Sequence, residues 1–263
     1  MLIDTHTHLY SDKFSADREA VLQRAWDSGV GLALLPAIDR STHEQMVALE
    51  AAHPERCLAM IGLHPVSVGG DYEAELAEVR RRLEERRWVA IGEIGMDLYW
   101  DKTYREQQAD AFLRQCRWAV EFDLPISIHA REAIDELLDL IAGFDDKRLR
   151  GVFHCFTGTV DQARRVIDLG FYLGMGGVLT FKNGGLEPVV KNVRRDRVLL
   201  ETDSPYLAPT PHRGKRNETA YLPRVAEKLA ACWELPLEEV ARITTANARQ
   251  LFELDRFAET MPD

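Results

Sequence analysis

The chain has 263 residues, 46% hydrophobic and 29% charged, which suits one large globular domain or two small ones. A formal net charge of -10 and a pI near 5.4 argue against broad electrostatic wrapping of nucleic acid, while leaving room for a local basic rim around an acidic, metal-filled pocket. Cys57, Cys116, Cys155 and Cys232 form no Cys-x-x-Cys pair, and neither a signal-peptide pattern nor a membrane-length apolar run occurs, so a reduced, soluble, cytoplasmic monomer is expected.

The chain opens on Ile3-Asp4-Thr5-His6-Thr7-His8, where an apolar strand over residues 2–5 runs into two histidines. In extended backbone alternate side chains share a face, so His6 and His8 point the same way and suit one cation. A strand-capping histidine beside a surface one is the plainer alternative. Residues 17–28 then read as a helix closed by Gly29, 30–35 as a buried strand stopped by Pro36, and 42–52 as a helix capped by Ser41. A buried strand over 57–63 ends at His64-Pro65. A charged helix over 72–87 precedes a strand over 88–92 that ends at Glu93.

The second half repeats the pattern. Helix 103–122 leads to strand 125–128 and His129, and helix 132–142 to strand 150–153 and His154. Helix 160–169 leads to strand 171–174, and the short helix 186–193 to strand 198–202 and Asp203. Helices near 220–231 and 236–251 finish the chain, with a frayed tail expected beyond Leu254. Gly174, Gly176, Gly177, Gly184 and Gly185 mark a loop where backbone can approach a ligand. No G-x-G-x-x-G follows a strand, so a dinucleotide loop is not expected.

Eight buried, non-alternating strands separated by helices predict an all-parallel sheet covered on both faces. At this length the expected α/β architecture is a single (β/α)8 TIM barrel over residues 1–263, with a doubly wound open sheet as the runner-up. A barrel brings its C-terminal strand ends to one mouth. His6, His8, Glu93, His129, His154 and Asp203 all stand at such ends, and that coincidence predicts a metal site. Six ligands exceed the needs of one tetrahedral ion. They match two divalent cations sharing Glu93, with His6, His8 and Asp203 on one and His129 and His154 on the other. Mixed nitrogen and oxygen ligands admit Zn, Mn or Mg.

Several segments carry a resemblance to a known family: Ile3-Asp-Thr-His-Thr-His8, Gly62-Leu-His-Pro65, Ile91-Gly-Glu-Ile-Gly-Met-Asp97, Pro125-Ile-Ser-Ile-His-Ala-Arg131, His154-Cys-Phe-Thr-Gly158, Leu200-Glu-Thr-Asp-Ser-Pro-Tyr206 and Pro211-His-Arg-Gly-Lys-Arg-Asn217. Together they resemble the TatD-type metal-dependent deoxyribonucleases of the amidohydrolase-like barrels. The resemblance implies a TIM barrel with a divalent-metal site that hydrolyses DNA phosphodiesters; the narrow mouth of a barrel favours work from a strand end, and two cations can hold the attacking hydroxide. It implies metal roles for His6, His8, Glu93, His129, His154 and Asp203, with Asp203 as general base and Glu93 as the shared catalytic carboxylate. Some relatives of the family act on other esters, including aminoacyl-tRNA. A carboxylic-ester or amide hydrolase is therefore the alternative, although many such enzymes bridge their metals with a modified lysine where this chain has Glu93.

Other residues are expected nearby. His64 and Arg131 are placed to contact a phosphate, and His212, Arg213, Lys215 and Arg216 form a short basic loop suited to a DNA backbone. Tyr99 and Trp100 are placed to stack on a base. Glu201, two residues before Asp203, is expected just below it as a further ligand or supporting acceptor. Cys155 is expected to face the helices, and Asp4 has no expected task.

Overall fold

The computed structural model describes residues 1–260. Eight parallel strands alternate with helices: β1 Leu2–Asp4, α1 Arg18–Asp27, β2 Val30–Pro36, α2 Arg40–Ala52, β3 Cys57–Ile61, α3 Tyr72–Glu85, β4 Ala90–Asp97, α4 Arg105–Glu121, β5 Ile126–Arg131, α5 Ile134–Ala142, β6 Gly151–Phe153, α6 Val160–Asp168, β7 Tyr172–Met175, α7 Glu187–Asn192, β8 Val198–Leu200, α8 Leu222–Trp233 and α9 Leu237–Phe252. Neighbours in sequence are neighbours in the sheet from β1 to β8. The ends close through Thr5 N–H donating to Leu200 O at 3.1 Å, and through Asp203 N–H donating to His6 O at 2.9 Å. A bridge between Thr7 and Ser204 continues that seam. The open-sheet alternative is excluded by this closure.

Alternation along each strand sorts the core into two parts. Leu35, Ile61, Ile91, Ile128, Phe153 and Leu200 face outward, in one cluster with Leu22, Met46, Leu76, Phe112, Leu137 and Val166 of the helices. Ile3, Leu34, Met60, Ala90, Val152 and Leu199 face inward. The inner cluster is completed by Ala248, Leu251, Phe252 and Leu254, so α9 and the turn after it close the bottom of the barrel. Asn247 fastens this plug by donating from Nδ2 to the carbonyls of Arg195 and Val198, both at 2.9 Å. The expected frayed tail is therefore corrected over 254–260, which forms a 3-10 helix with Leu254 buried; the last part of that tail lies outside the described residues. Among the described residues no helix is long and apolar enough to cross a membrane.

Two further expectations change. β4 does not stop before Glu93 but runs on to Asp97. The glycine loop serves packing: a Cβ on Gly174 would stand 2.3 Å from Glu201 Oε2, and one on Gly177 would stand 1.9 Å from Leu207 O. These glycines admit a carboxylate and a crossing backbone of this chain.

Candidate metal centre

Glu93 reaches the mouth because β4 bulges. Ile91 pairs with Ile126 and Ile94 with Ile128, so three steps on β4 oppose two on β5. Ile91 and Ile94 both face the outer core, and the two residues between them turn inward. Strict alternation from Ile91 would have sent Glu93 toward the helices. The bulge is held at Ala37, which donates to Gly92 O and accepts from Glu93 N–H, both at 3.0 Å. Gly92 has no alternative, because a Cβ there would stand 2.8 Å from that of Ser127.

The Glu93 carboxylate is buried and ringed by imidazoles. Its Oε2 lies 3.1 Å from His6 Nε2 and 3.7 Å from His8 Nε2. Its Oε1 lies 2.7 Å from His129 Nδ1, 3.2 Å from His154 Nε2 and 3.3 Å from His64 Nε2. Asp203 Oδ1 lies 3.6 Å from His8 Nε2. Three groupings bring ligand atoms within 4.8 Å of one another: His6, His8 and Asp203; His6, Glu93 and His154; His64, Glu93 and His129. Of the residues expected at the mouth, all six candidate ligands thus come together, and His64 joins them.

The outward ring nitrogens show how the imidazoles are prepared. Tyr10 Oη donates to Pro36 O at 2.6 Å, so its oxygen accepts from His8 Nδ1–H at 2.9 Å, and His8 Nε2 is left with a lone pair. His154 Nδ1 meets buried Glu201 at 3.1 Å, which directs its Nε2 to Glu93 in the same way. His6 Nδ1 meets Ser127 Oγ at 3.1 Å. His129 sets Nε2 against Asp97 at 3.0 Å and turns Nδ1 inward. Imidazoles held from behind by a hydroxyl or carboxylate, with the other nitrogen converging on a shared carboxylate, are the arrangement a divalent cation requires. The residues present fit such an ion.

Electrostatics agree with an ionised carboxylate in a basic ring. Burial opposes charge on Glu93, but His64, His154 and His6 outweigh it and hold the carboxyl well below its usual range. Burial also opposes charge on Asp203, and His8, His154 and His6 lower it nonetheless. Burial and the nearby His154 lower His6. For His129 burial pulls down while Asp97 and Glu93 prevail, carrying the ring up to about 9. Asp4 lies deeper, where burial pushes its carboxyl up to about 7 despite its bonds to Thr202. It accepts from Thr202 N–H at 2.9 Å and Thr202 Oγ1 at 2.6 Å, pinning the backbone beside Asp203 to β1.

The remaining expectations divide. Glu201 is buried behind His154 as a support. Arg131 lines the mouth, with its guanidinium 4.0 Å from the Tyr99 ring and 5.3 Å from that of Trp100. Cys155 is corrected: it lines the mouth rather than facing the helices. Its φ of 43° turns the chain, and its N–H is bound to Glu201. The basic loop packs against neighbouring aromatic rings. His212 stacks on Tyr221 at 3.9 Å, Arg213 covers Phe181 at 4.0 Å, and neither lines the mouth cavities. Arg216 pairs with Asp17 and Glu218. Tyr10, Ser127 and Asp97 were missed as partners of the histidines. The alternation of Tyr10 with His8 was the one local signal; the other contacts cross between strands.

Comparison with known proteins agrees with this geometry. The profile of the family described as TatD related DNase matches residues 3–253. The chain belongs to the TatD family. It is 39% identical over 256 residues to the metal-dependent hydrolase YabD of Bacillus subtilis, covering 97% of this chain and 100% of that one. It is 34% identical over 260 residues to the 3'-5' ssDNA/RNA exonuclease TatD of Erwinia tasmaniensis, covering 96% and 100% of the two chains. The crystal structure of YjjV, a TatD homologue from Escherichia coli, superposes with a TM-score of 0.90 at 32% identity, covering 96% and 98%. This TatD-family chain is a metal-dependent hydrolase on a TIM barrel, with His, Glu and Asp groups positioned to bind metal ions.

Proposed function

We propose that this TatD-family protein removes nucleotides from the 3' end of single-stranded nucleic acid, using two divalent cations that share Glu93. The observation that carries the proposal is the division of histidines between the two Glu93 oxygens, with His6 and His8 at Oε2, His129 and His154 at Oε1, and Asp203 beside His8. His6, His8, Glu93 and Asp203 would hold one ion, and Glu93, His129 and His154 the other. Bound there, the ions would acidify water and neutralise charge on a phosphate. Asp203, kept ionised, takes the proton of the attacking water. His64 Nε2–H and Arg131 bind non-bridging phosphate oxygens as charge develops on them. The P–O3' bond breaks, the shortened strand gains a proton at O3', and a nucleoside 5'-monophosphate leaves.

The relative named as a 3'-5' ssDNA/RNA exonuclease supports the substrate and direction. The test strips the protein with chelator and restores Mg2+, Mn2+ or Zn2+. It then offers end-labelled single-stranded DNA, RNA and an aryl carboxylic ester. Metal-dependent release of mononucleotides from the 3' end is expected. Ester turnover without strand cleavage would overturn the proposal in favour of the carboxylic-ester reading.

A further inference from the structure

The mouth is not one cavity but two that meet at the ligand residues. The larger has a volume of about 570 Å³ and runs out past Val66, Trp100 and Tyr206, which are 57%, 68% and 43% exposed. The smaller has a volume of about 310 Å³ and is walled by Ala130, Cys155, Thr157 and Val178. His129, Arg131, His154, Asp203 and Leu207 line both, and the first four form the polar ridge between them. Arg131 is the one lysine or arginine among the residues lining either.

We propose that the smaller cavity is a pocket for the terminal nucleoside of the strand, and that the larger one carries the preceding nucleotides; the proposal rests on the nuclease reading above. A phosphodiester is a charged centre with a substituent on each side. Its charge belongs on the ridge, where the candidate ligands and Arg131 converge, so its substituents must enter different cavities. The larger cavity opens onto exposed aromatic and apolar side chains, which suit successive bases of a single strand because every base offers a face for stacking. The smaller has small neutral walls, and its volume is at the low end of small-ligand pockets, which suits one nucleoside. Its outer wall at Val178 accepts the N–H of Phe181, the ring that Arg213 covers.

The test uses the metal-loaded protein and thymidine 5'-monophosphate as the probe of the pocket. Thr157 is exposed, so Thr157→Trp fills the cavity without disturbing the core, and an unchanged metal content and melting midpoint show that it folds. It is expected to weaken equilibrium binding of the mononucleotide about tenfold and to slow mononucleotide release from end-labelled single strands to a similar degree. Val178→Phe acts in the same direction from the opposite wall. Trp100→Ala is expected to raise KM for the oligonucleotide about tenfold while mononucleotide binding holds. Unchanged mononucleotide binding in both Thr157→Trp and Val178→Phe would overturn the pocket, as would equal loss in Trp100→Ala. Wild-type protein that binds the mononucleotide but cleaves no strand would overturn the nuclease reading, not the pocket.

Discussion

The backbone N–H of Val66 donates to Nδ1 of His64 at 3.0 Å. That bond makes Nδ1 an acceptor, so the neutral ring carries its proton on Nε2, 3.3 Å from Glu93. Burial lowers the His64 pKa. His8 and His154 have the opposite arrangement. His64 is therefore built to donate a hydrogen bond at the mouth, although its nitrogen lies close enough to be taken for a ligand. His64→Gln is expected to lower kcat/KM on a phosphodiester by about 10²-fold, the usual effect of losing one such donor. Metal analysis after dialysis should find the variant as fully loaded as wild type. A stoichiometric loss of metal would make His64 a ligand.

Glu93 is the group on which both halves of the centre depend. Glu93→Gln should lose both ions on dialysis and reduce turnover to background. Chelation of the wild type should do the same reversibly. Metal at about a hundred times its dissociation constant adds roughly 2.7 kcal/mol of stability, so the wild-type melting midpoint should rise by several degrees. The Glu93→Gln midpoint should not respond. A Gln variant with full activity would rule out a shared carboxylate.

Behind the ring, Glu201 orients His154 and binds the N–H of Cys155. Its other oxygen, Oε2, is buried beside Gly174 with no hydrogen-bond partner among the described residues. Glu201→Gln keeps the volume and removes the charge that favours Nδ1–H on His154. Titration calorimetry should show metal affinity falling by about 10–100-fold, the usual cost of losing an outer partner of a ligand histidine. Unchanged affinity would leave Glu201 a packing residue.

The imidazole of His43 on α2 is buried. Burial and the Arg82 charge lower its pKa from 6.5 to about 4. The folded state therefore resists a proton that the unfolded chain accepts. Stability from this group is complete above pH 6.5 and is lost as pH falls toward 4. The loss between pH 7 and pH 5 is about 2 kcal/mol. In denaturant melts His43→Leu should flatten the acid limb by that amount relative to wild type. A parallel pair of pH profiles would assign the acid sensitivity elsewhere.

The sequence by itself determined the barrel and its candidate ligands, because both are local patterns. Buried apolar runs declare parallel strands, and a histidine or carboxylate after six of the eight runs needs only the barrel's geometry to meet the others. Even so, Glu93 faces the mouth only through a bulge whose pairing with β5 no local pattern records. The tertiary structure alone decided what stands behind each imidazole, since Ser127, Asp97 and Glu201 lie on other strands or well along the chain. It also turned Cys155 into the mouth, stacked His212 on Tyr221, set Arg213 over Phe181, and closed the barrel floor with α9. Ring tautomers and the two-cavity mouth follow from such contacts, which join residues that chain order keeps apart.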